Sequence, residues 1–300
     1  MSRIVVVAVL LGTVVAASAD NPKFEYGKAD EVAKVAGVEW NASAEVGLVF
    51  TTGNSETTTV TAGLKAARKT GQNKLAIDAS LTYARSSVRQ LVDNNGNGTI
   101  DDASEIESVS STTAETVTSK LRYDRFLTDA NSLYAAALAA RDLPAGKEAV
   151  VGGQVGYSRR IYKTKTAEAV AEAGIDYSHE DLVAGDAVHI LSARGFVGFK
   201  AELTEGATFD ASLEGLTNLN KETLPTTDNP EAKLAEDTRV IAKVGFSAKI
   251  GKNLAIQTSL EAKYDHAPAP LSIKNLAIDF VPEASRLDTM MKASLIYTIF

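Results

Sequence analysis

Between Val92 and Ile106 the chain reads VDNNGNGTIDDASEI, which sets Asp93, Asn95 and Asn97 at alternate positions ahead of Gly98. Alternate side-chain oxygens followed by a glycine are what a calcium loop requires, because a hard cation gathers oxygen ligands and the glycine permits the sharp turn around it. Thr99 would add its carbonyl, and Asp101 a carboxylate that binds directly or through water. The twelfth loop position, where a bidentate acid belongs, is Ser104, with Glu105 one step late, and two of the first three donors are neutral amides. So little charge sets the expected affinity in the weak extracellular range of about 0.1 to 1 mM. The competing reading of Asp93, Asn95, Asn97, Thr99, Asp101 and Glu105 is a polar turn without metal, since Asn, Asp and Gly favour turns for backbone reasons alone.

The histidines are the other candidates. His179 and His189 flank one short stretch containing Glu180, Asp181 and Asp186, and His266 stands apart. A transition-metal site there competes with solvated surface histidines, and no tight ligand spacing such as H-E-x-x-H favours the metal. For nucleophilic catalysis a hydroxyl must lie within reach of a base oriented by a third group, and no motif of that kind stands beside these residues.

The elements that must carry these groups are strands. Lys74 to Ser86 places Leu75, Ile77, Ala79, Leu81 and Tyr83 on one face and Asp78, Ser80 and Thr82 on the other, the period of two that marks a strand. The same alternation recurs at Leu254 to Asp265, at Val240 to Ile250 and around Phe209 to Glu214. In each, one face is apolar and the other carries charge. About twelve such runs cover the chain, near 39–52, 55–69, 74–87, 113–126, 132–142, 149–163, 166–180, 188–204, 207–219, 237–250, 254–266 and 286–300. Many exceed the five or six residues of an ordinary globular strand and match the roughly 9 to 11 that a tilted strand needs to cross the bilayer hydrocarbon.

The connections alternate in length. Short turns at 70–73, 128–131, 163–165, 205–206 and 251–253 interleave with long connections at 88–112, 143–148, 181–187, 220–236 and 267–285, and only the tight turn at Gly53-Asn54 breaks the alternation. That is the plan of an outer-membrane barrel, with short periplasmic turns and long external loops. Trp40, Tyr123, Phe126, Tyr134, Tyr157, Tyr162, Tyr177, Tyr264 and Tyr297 fall near strand ends, where interfacial girdles require them. The inward series carries both signs, with Lys65, Lys120, Arg122, Arg160, Arg194, Lys243 and Lys249 against Glu168, Glu172, Asp176, Asp210, Glu214 and Glu261.

Composition sets the compartment. Residues 1–19 have a short basic start at Arg3, an apolar core from Ile4 to Val15 and an Ala17-Ser18-Ala19 cleavage site, the form of a secretory signal peptide. Residues 20–38 read as a periplasmic arm, and 39–300 as the barrel with an inserted external loop at 88–112. The 300 residues contain no cysteine, which suits passage through an oxidising compartment, and the net charge of -7 argues against a nucleic-acid partner.

Trp40, the run from Glu45 to Glu56 with its Thr52-Gly53-Asn54-Ser55 turn, the hairpin from Leu64 through Gly71-Gln72-Asn73 to Tyr83, and Lys120 to Phe126 together resemble the bacterial outer-membrane proteins labelled salt-induced. The resemblance spans most of the chain beyond the leader. It implies an outer-membrane β-barrel with no established activity. The chain departs from that pattern in the insert at 88–112 and at Phe300, which is out of step with Ala293, Leu295, Tyr297 and Ile299.

The expectation is therefore an all-β, transmembrane antiparallel up-and-down barrel of about 12 strands in the bacterial outer membrane. It would be monomeric and non-catalytic, have an envelope or stress-related role, and require no cofactor, with calcium the one candidate ligand. Its partners would be outer-membrane lipids and, during insertion, the barrel-assembly machinery and periplasmic chaperones. The alternatives are a narrow porin for small solutes, a soluble all-β periplasmic binding domain, and a calcium-dependent outer-membrane lipid hydrolase. The last resembles a known twelve-stranded phospholipase, but its H-x-S pattern is absent here, where His179 precedes Glu180-Asp181 and His189 precedes Ile190-Leu191.

Overall fold

The alternating runs all become strands. In chain order they are β1 (Glu39–Thr51), β2 (Ser55–Thr70), β3 (Asn73–Leu91), β4 (Ile106–Thr128), β5 (Asn131–Asp142), β6 (Lys147–Lys163) and β7 (Ala167–Leu182). There follow β8 (Val188–Thr204), β9 (Ala207–Asn218), β10 (Glu222–Thr223), β11 (Glu231–Ala232), β12 (Thr238–Lys249), β13 (Leu254–Asp265) and β14 (Leu287–Thr298). The structure, a computed structural model, describes residues 38–51, 55–91, 106–143, 145–183, 186–223, 231–232, 235–268 and 285–299. The signal peptide expected at 1–19, the arm at 20–38 apart from Val38, the six candidate calcium ligands Asp93, Asn95, Asn97, Thr99, Asp101 and Glu105, and Phe300 all lie outside the described residues.

Twelve strands close into one ring in the order β1-β14-β13-β12-β9-β8-β7-β6-β5-β4-β3-β2, and β10 with β11 makes a separate two-stranded hairpin. Every neighbouring pair is antiparallel, as between β12 and β9 from Thr238↔Thr217 to Ala248↔Ala207. No helix among the described residues is long and apolar enough to cross a membrane. Closure satisfies the backbone that an open sheet edge would leave bare in lipid.

The period of two sorts the side chains. Leu64, Leu121, Val155, Leu213, Val244 and Leu260 point outward, with Leu213 53% exposed, whereas Gln154, Ser158, Glu172, Asp176 and Arg194 are buried on the inner side, Ser158 completely at 0%. A water-soluble protein has the reverse arrangement and seldom bares an apolar surface beyond a few hundred Å². A wall of this kind is at rest only against hydrocarbon, which makes the molecule a transmembrane barrel.

Aromatic side chains ring the wall near its short-turn end. Tyr123 donates its hydroxyl to Asn73 Oδ1 at 2.6 Å, Tyr157 donates likewise to Asn131, and Phe209 packs against Phe199 and Phe246 with ring centroids 6.2 and 4.9 Å away. Tyr177 and Tyr264 mark the long-loop end. Tyr134 and Phe126, grouped with the girdles on the strength of their position near strand ends, belong instead to the interior, only 3% and 5% exposed. Their parity along the strand decides this, since Tyr134 is in step with inward Ser132 and Phe126 with inward Asp124.

The connection expected at 88–112 is shorter than anticipated, because β3 and β4 stay paired from Asn73↔Arg125 as far as Leu91↔Ile106, with one irregularity at Ala84/Arg85. The added stretch is rich in Ser, and its two apolar pairs, Val88↔Val109 and Leu91↔Ile106, are three residues apart and so out of step with a period of two. A hydroxyl pair helps to hold them, with Ser87 and Ser110 2.6 Å apart. Cross-strand pairs of this kind stabilise a ladder by roughly 0.2–1 kcal/mol each.

The ring is unevenly stitched. β2 and β3 register over sixteen residue pairs, from Ser55↔Val88 to Thr70↔Asn73, while β1 and β14 register over four, from Ser43↔Thr298 to Val46↔Leu295.

Candidate functional site

The lumen is the place where the sequence concentrates polar chemistry. The inward positions of β4 bring Lys120, Arg122 and Asp124 to face Glu172 and Asp176 of β7, with Arg194 of β8 and Glu214 of β9 closing the group. All of these except Asp124 are residues that the alternation assigns to the inner face. What the alternation could not supply is their pairing.

Glu172 is the hub. Its two carboxylate oxygens accept from Arg122 Nη2 at 2.8 Å and Nη1 at 3.1 Å, and they also take Ser158 Oγ at 2.9 Å and Arg194 Nη1 at 2.8 Å. Arg122 is shared with Asp124, 2.7 Å from Nη2, and Arg194 with Glu214, 2.5 Å from Nε. Tyr134 lies beneath both guanidinium groups: Arg122 is 4.2 Å from its ring centre, and Arg194 donates to its hydroxyl at 2.8 Å. The planar guanidinium suits both tasks, forking onto carboxylates and stacking on a ring. Farther up the wall Lys120 donates to Gln154 at 2.9 Å, and Gln154 passes the interaction to Asp176 at 2.8 Å.

Two glycines make room for this arrangement. Gly156 of β6 and Gly174 of β7 are directly opposed, and a Cβ on Gly156 would lie 2.5 Å from the Ala173 carbonyl oxygen and 2.6 Å from the Tyr134 hydroxyl. Gly156→Val should displace Tyr134 and lower stability by about 1–3 kcal/mol, the usual cost of overpacking. A fall in the urea midpoint of barrel refolded into vesicles measures it, and an unchanged midpoint would show that the tyrosine site is not tightly packed.

Below the ionic layer, toward the short turns, Phe126, Val170 and Phe196 form an apolar floor. Above it, at the long-loop end, lies a second ionic group. Glu180 pairs with Lys147 at 2.8 Å and with Arg239, while Asp265 lies 3.8 Å from Lys147 and 3.6 Å from Arg239. Asp237, which sits just outside β12, faces Arg239 at 3.2 Å. Burial pushes the Asp237 carboxyl above the ordinary carboxylate range, against the opposing pull of Arg239.

Two ionic contacts cross the lumen at this level. β13 and β5 are six places apart in a ring of twelve, yet Lys263 on the first reaches Asp142 on the second at 3.5 Å. Lys147 and Asp265 join strands five places apart. Side chains just fill an eight-stranded ring, and a round twelve-stranded one is wider. Direct contact between opposite walls therefore requires the ring to be flattened at its long-loop end.

On the outer wall, His179 and His189 stand side by side across β7 and β8, and His266 follows the end of β13 beside Tyr264. Their place at strand ends was legible in the sequence; their being opposed was not, since it depends on the register of that hairpin.

A family model described as a protein of unknown function, DUF481, matches residues 44–299. No protein of curated description matches the sequence. Among solved structures, the chain is similar to the translocator domain of autotransporter NalP from Neisseria meningitidis, at 14% identity over 87% of each chain with a TM-score of 0.37. It is also similar to the anion-selective porin from Comamonas acidovorans, at 9% identity over 88% of this chain and 99% of that one, with a TM-score of 0.37. A third likeness is to OmpT of Vibrio cholerae, at 8% identity over 87% of this chain and 97% of that one, with a TM-score of 0.35. With 256 of its 300 residues matched, the chain belongs to the DUF481 family.

Proposed function

We propose that the chain is a monomeric, non-catalytic barrel of the bacterial outer membrane whose lumen is closed and whose role lies in the envelope itself. The contact of Lys263 with Asp142 across the flattened mouth is the observation that carries this reading, because a pore needs a continuous wet path and here opposite walls meet. The Arg122–Glu172–Arg194 group and the floor of Phe126, Val170 and Phe196 support it at two further levels. Mixed charge along the lumen favours mutual neutralisation over selection of one ion sign. On this reading the short turns face the periplasm, the long connections face outward, outer-membrane lipid is the principal partner, and no cofactor takes part. The barrel-assembly machinery and periplasmic chaperones would serve only insertion. A stress-related role, such as the salt response in the label of the proteins it resembles, would be exercised through the wall and loops rather than by transport.

Planar-bilayer recording tests the proposal. The native barrel should insert without ohmic steps, and the double variant Asp142→Ala with Lys263→Ala, which removes the cross-lumen contact, should raise the frequency of open events. A stable ohmic conductance from the native protein would overturn the closed reading in favour of a narrow porin. Fractionation with heat-modifiable gel mobility separately tests the location, since a soluble periplasmic fraction would exclude the outer membrane.

A further inference from the structure

At the long-loop end of the outer wall, an imidazole nitrogen and a phenol oxygen both close on the Nδ1 atom of His189. His179 of β7 and His189 of β8 are paired directly in the ladder, with their Nδ1 atoms 3.3 Å apart and their ring centroids 4.5 Å apart. Tyr177, two residues before His179 and so on the same face, brings its hydroxyl oxygen within 3.0 Å of His189 Nδ1. Asp181, two residues after, places a carboxylate oxygen 3.1 Å from His179 Nε2. Alternation along β7 thus aligns a phenol, an imidazole and a carboxylate on one face, and the facing strand adds the second imidazole.

The proton positions follow from these contacts. A carboxylate beside Nε2 accepts the proton there, which leaves the Nδ1 of His179 with its lone pair directed toward His189. The same His189 nitrogen is also approached by the Tyr177 hydroxyl, at 3.0 Å. One N–H or O–H can satisfy only one of these approaches at a time, whereas a cation in the middle satisfies all three. The spacing agrees with this: at metal–nitrogen bonds of about 2.0–2.1 Å, two nitrogens at a tetrahedral angle lie roughly 3.3–3.4 Å apart.

We propose that Tyr177, His179 and His189 bind a divalent transition-metal ion on the outer wall, with Asp181 as the positioning residue that orients His179. Two imidazole nitrogens and a phenol oxygen suit Cu²⁺, Zn²⁺ or Ni²⁺ and are poor ligands for Ca²⁺ or Mg²⁺, which sets this site apart from the oxygen-rich run at 93–105. Among the described residues no three His, Cys, Asp or Glu side chains are placed to hold an ion together, so the third protein ligand is the tyrosine. Tyr177 is 47% exposed at the long-loop rim of the apolar wall, which places the ion at the membrane–water interface, where water can fill its remaining positions. A bound ion would also clip β7 to β8 close to where the hairpin leaves the membrane.

The test uses the full chain folded in detergent micelles and titrated with Cu²⁺, followed by electron paramagnetic resonance. One ion per barrel is expected, with hyperfine splitting from two nitrogens, and Zn²⁺ should displace it competitively. His179→Ala and His189→Ala should each weaken binding at least tenfold and remove one nitrogen from the spectrum. Asp181→Asn should weaken it about tenfold to a hundredfold while both nitrogens remain, the mark of an orienting residue rather than a ligand. His266→Ala should change nothing. Heat-modifiable mobility verifies that each variant is folded, and His179→Gln and His189→Gln replace any alanine variant that is not. The assignment fails if Cu²⁺ does not bind, if its spectrum lacks nitrogen splitting, or if binding is lost with His266 and kept without His179 and His189.

Discussion

Glu172→Ala is expected to destabilise the folded barrel by about 3–5 kcal/mol, the range for removing one partner from a buried ion pair. The loss follows from what remains. Arg122 and Arg194 both direct N–H groups at the vacated carboxylate, and Ser158 loses its acceptor as well. Asp124 and Glu214 still hold one guanidinium each, so the penalty is that of two partly satisfied cations rather than two bare ones. Urea unfolding of the barrel in vesicles, followed by the fluorescence of Trp40, the single tryptophan, gives the midpoint from which the change is read. The double variant Glu172→Ala with Arg122→Ala should recover part of the loss, because it deletes one of the stranded charges along with its partner. A midpoint unchanged in the single variant would mean that water reaches the cluster freely and that the lumen is open at this depth.

A second large effect belongs to the opposite face of the wall. Leu213 lies on β9 midway between Phe209, in the aromatic belt of the short-turn end, and Thr217 near the long loops, and it points outward. Leu213→Arg should cost about 2–4 kcal/mol, the range for a cation at mid-depth on a lipid-facing barrel wall, whereas Thr217→Arg should cost about 0–1 kcal/mol. The same vesicle unfolding assay compares them. Equal costs at the two positions would show that no hydrocarbon layer surrounds the wall, and the transmembrane assignment would fall with it.

Most of the fold could be read from the chain because the period of two is strong wherever one face is apolar. β5, β8, β9, β12 and β13 begin and end within two residues of where the alternation sets them. The extra length of β3 and β4 shows no period of two, because Ser86, Ser87, Ser110 and Ser111 interrupt it and its apolar pairs, Val88↔Val109 and Leu91↔Ile106, are out of step. A hydroxyl pair such as Ser87 with Ser110 still holds the ladder. β10 and β11, two residues each, are too short for any period to show. Inner-face charges were legible for the same reason as the strands, but their partners were not. Arg122 meets Glu172 from a strand three places away in the ring, and Lys263 meets Asp142 from six places away. Such pairings depend on ring order, tilt and flattening, none of which a linear pattern encodes. Tyr134 shows the cost of reading position without parity, since a place near a strand end looks like a belt position until the neighbours on its own face are counted.

The unequal stitching of the ring has a mechanical meaning. A cask is only as sound as its weakest stave, and here the joint between the first and last staves is held by four rungs where the neighbouring joint of β1 with β2 has thirteen. Because the chain does not continue across that joint, nothing covalent backs up the missing rungs. Load applied to the hoop, whether by heat, lateral pressure of the lipid or torsion from the loops, is released there before any hairpin opens.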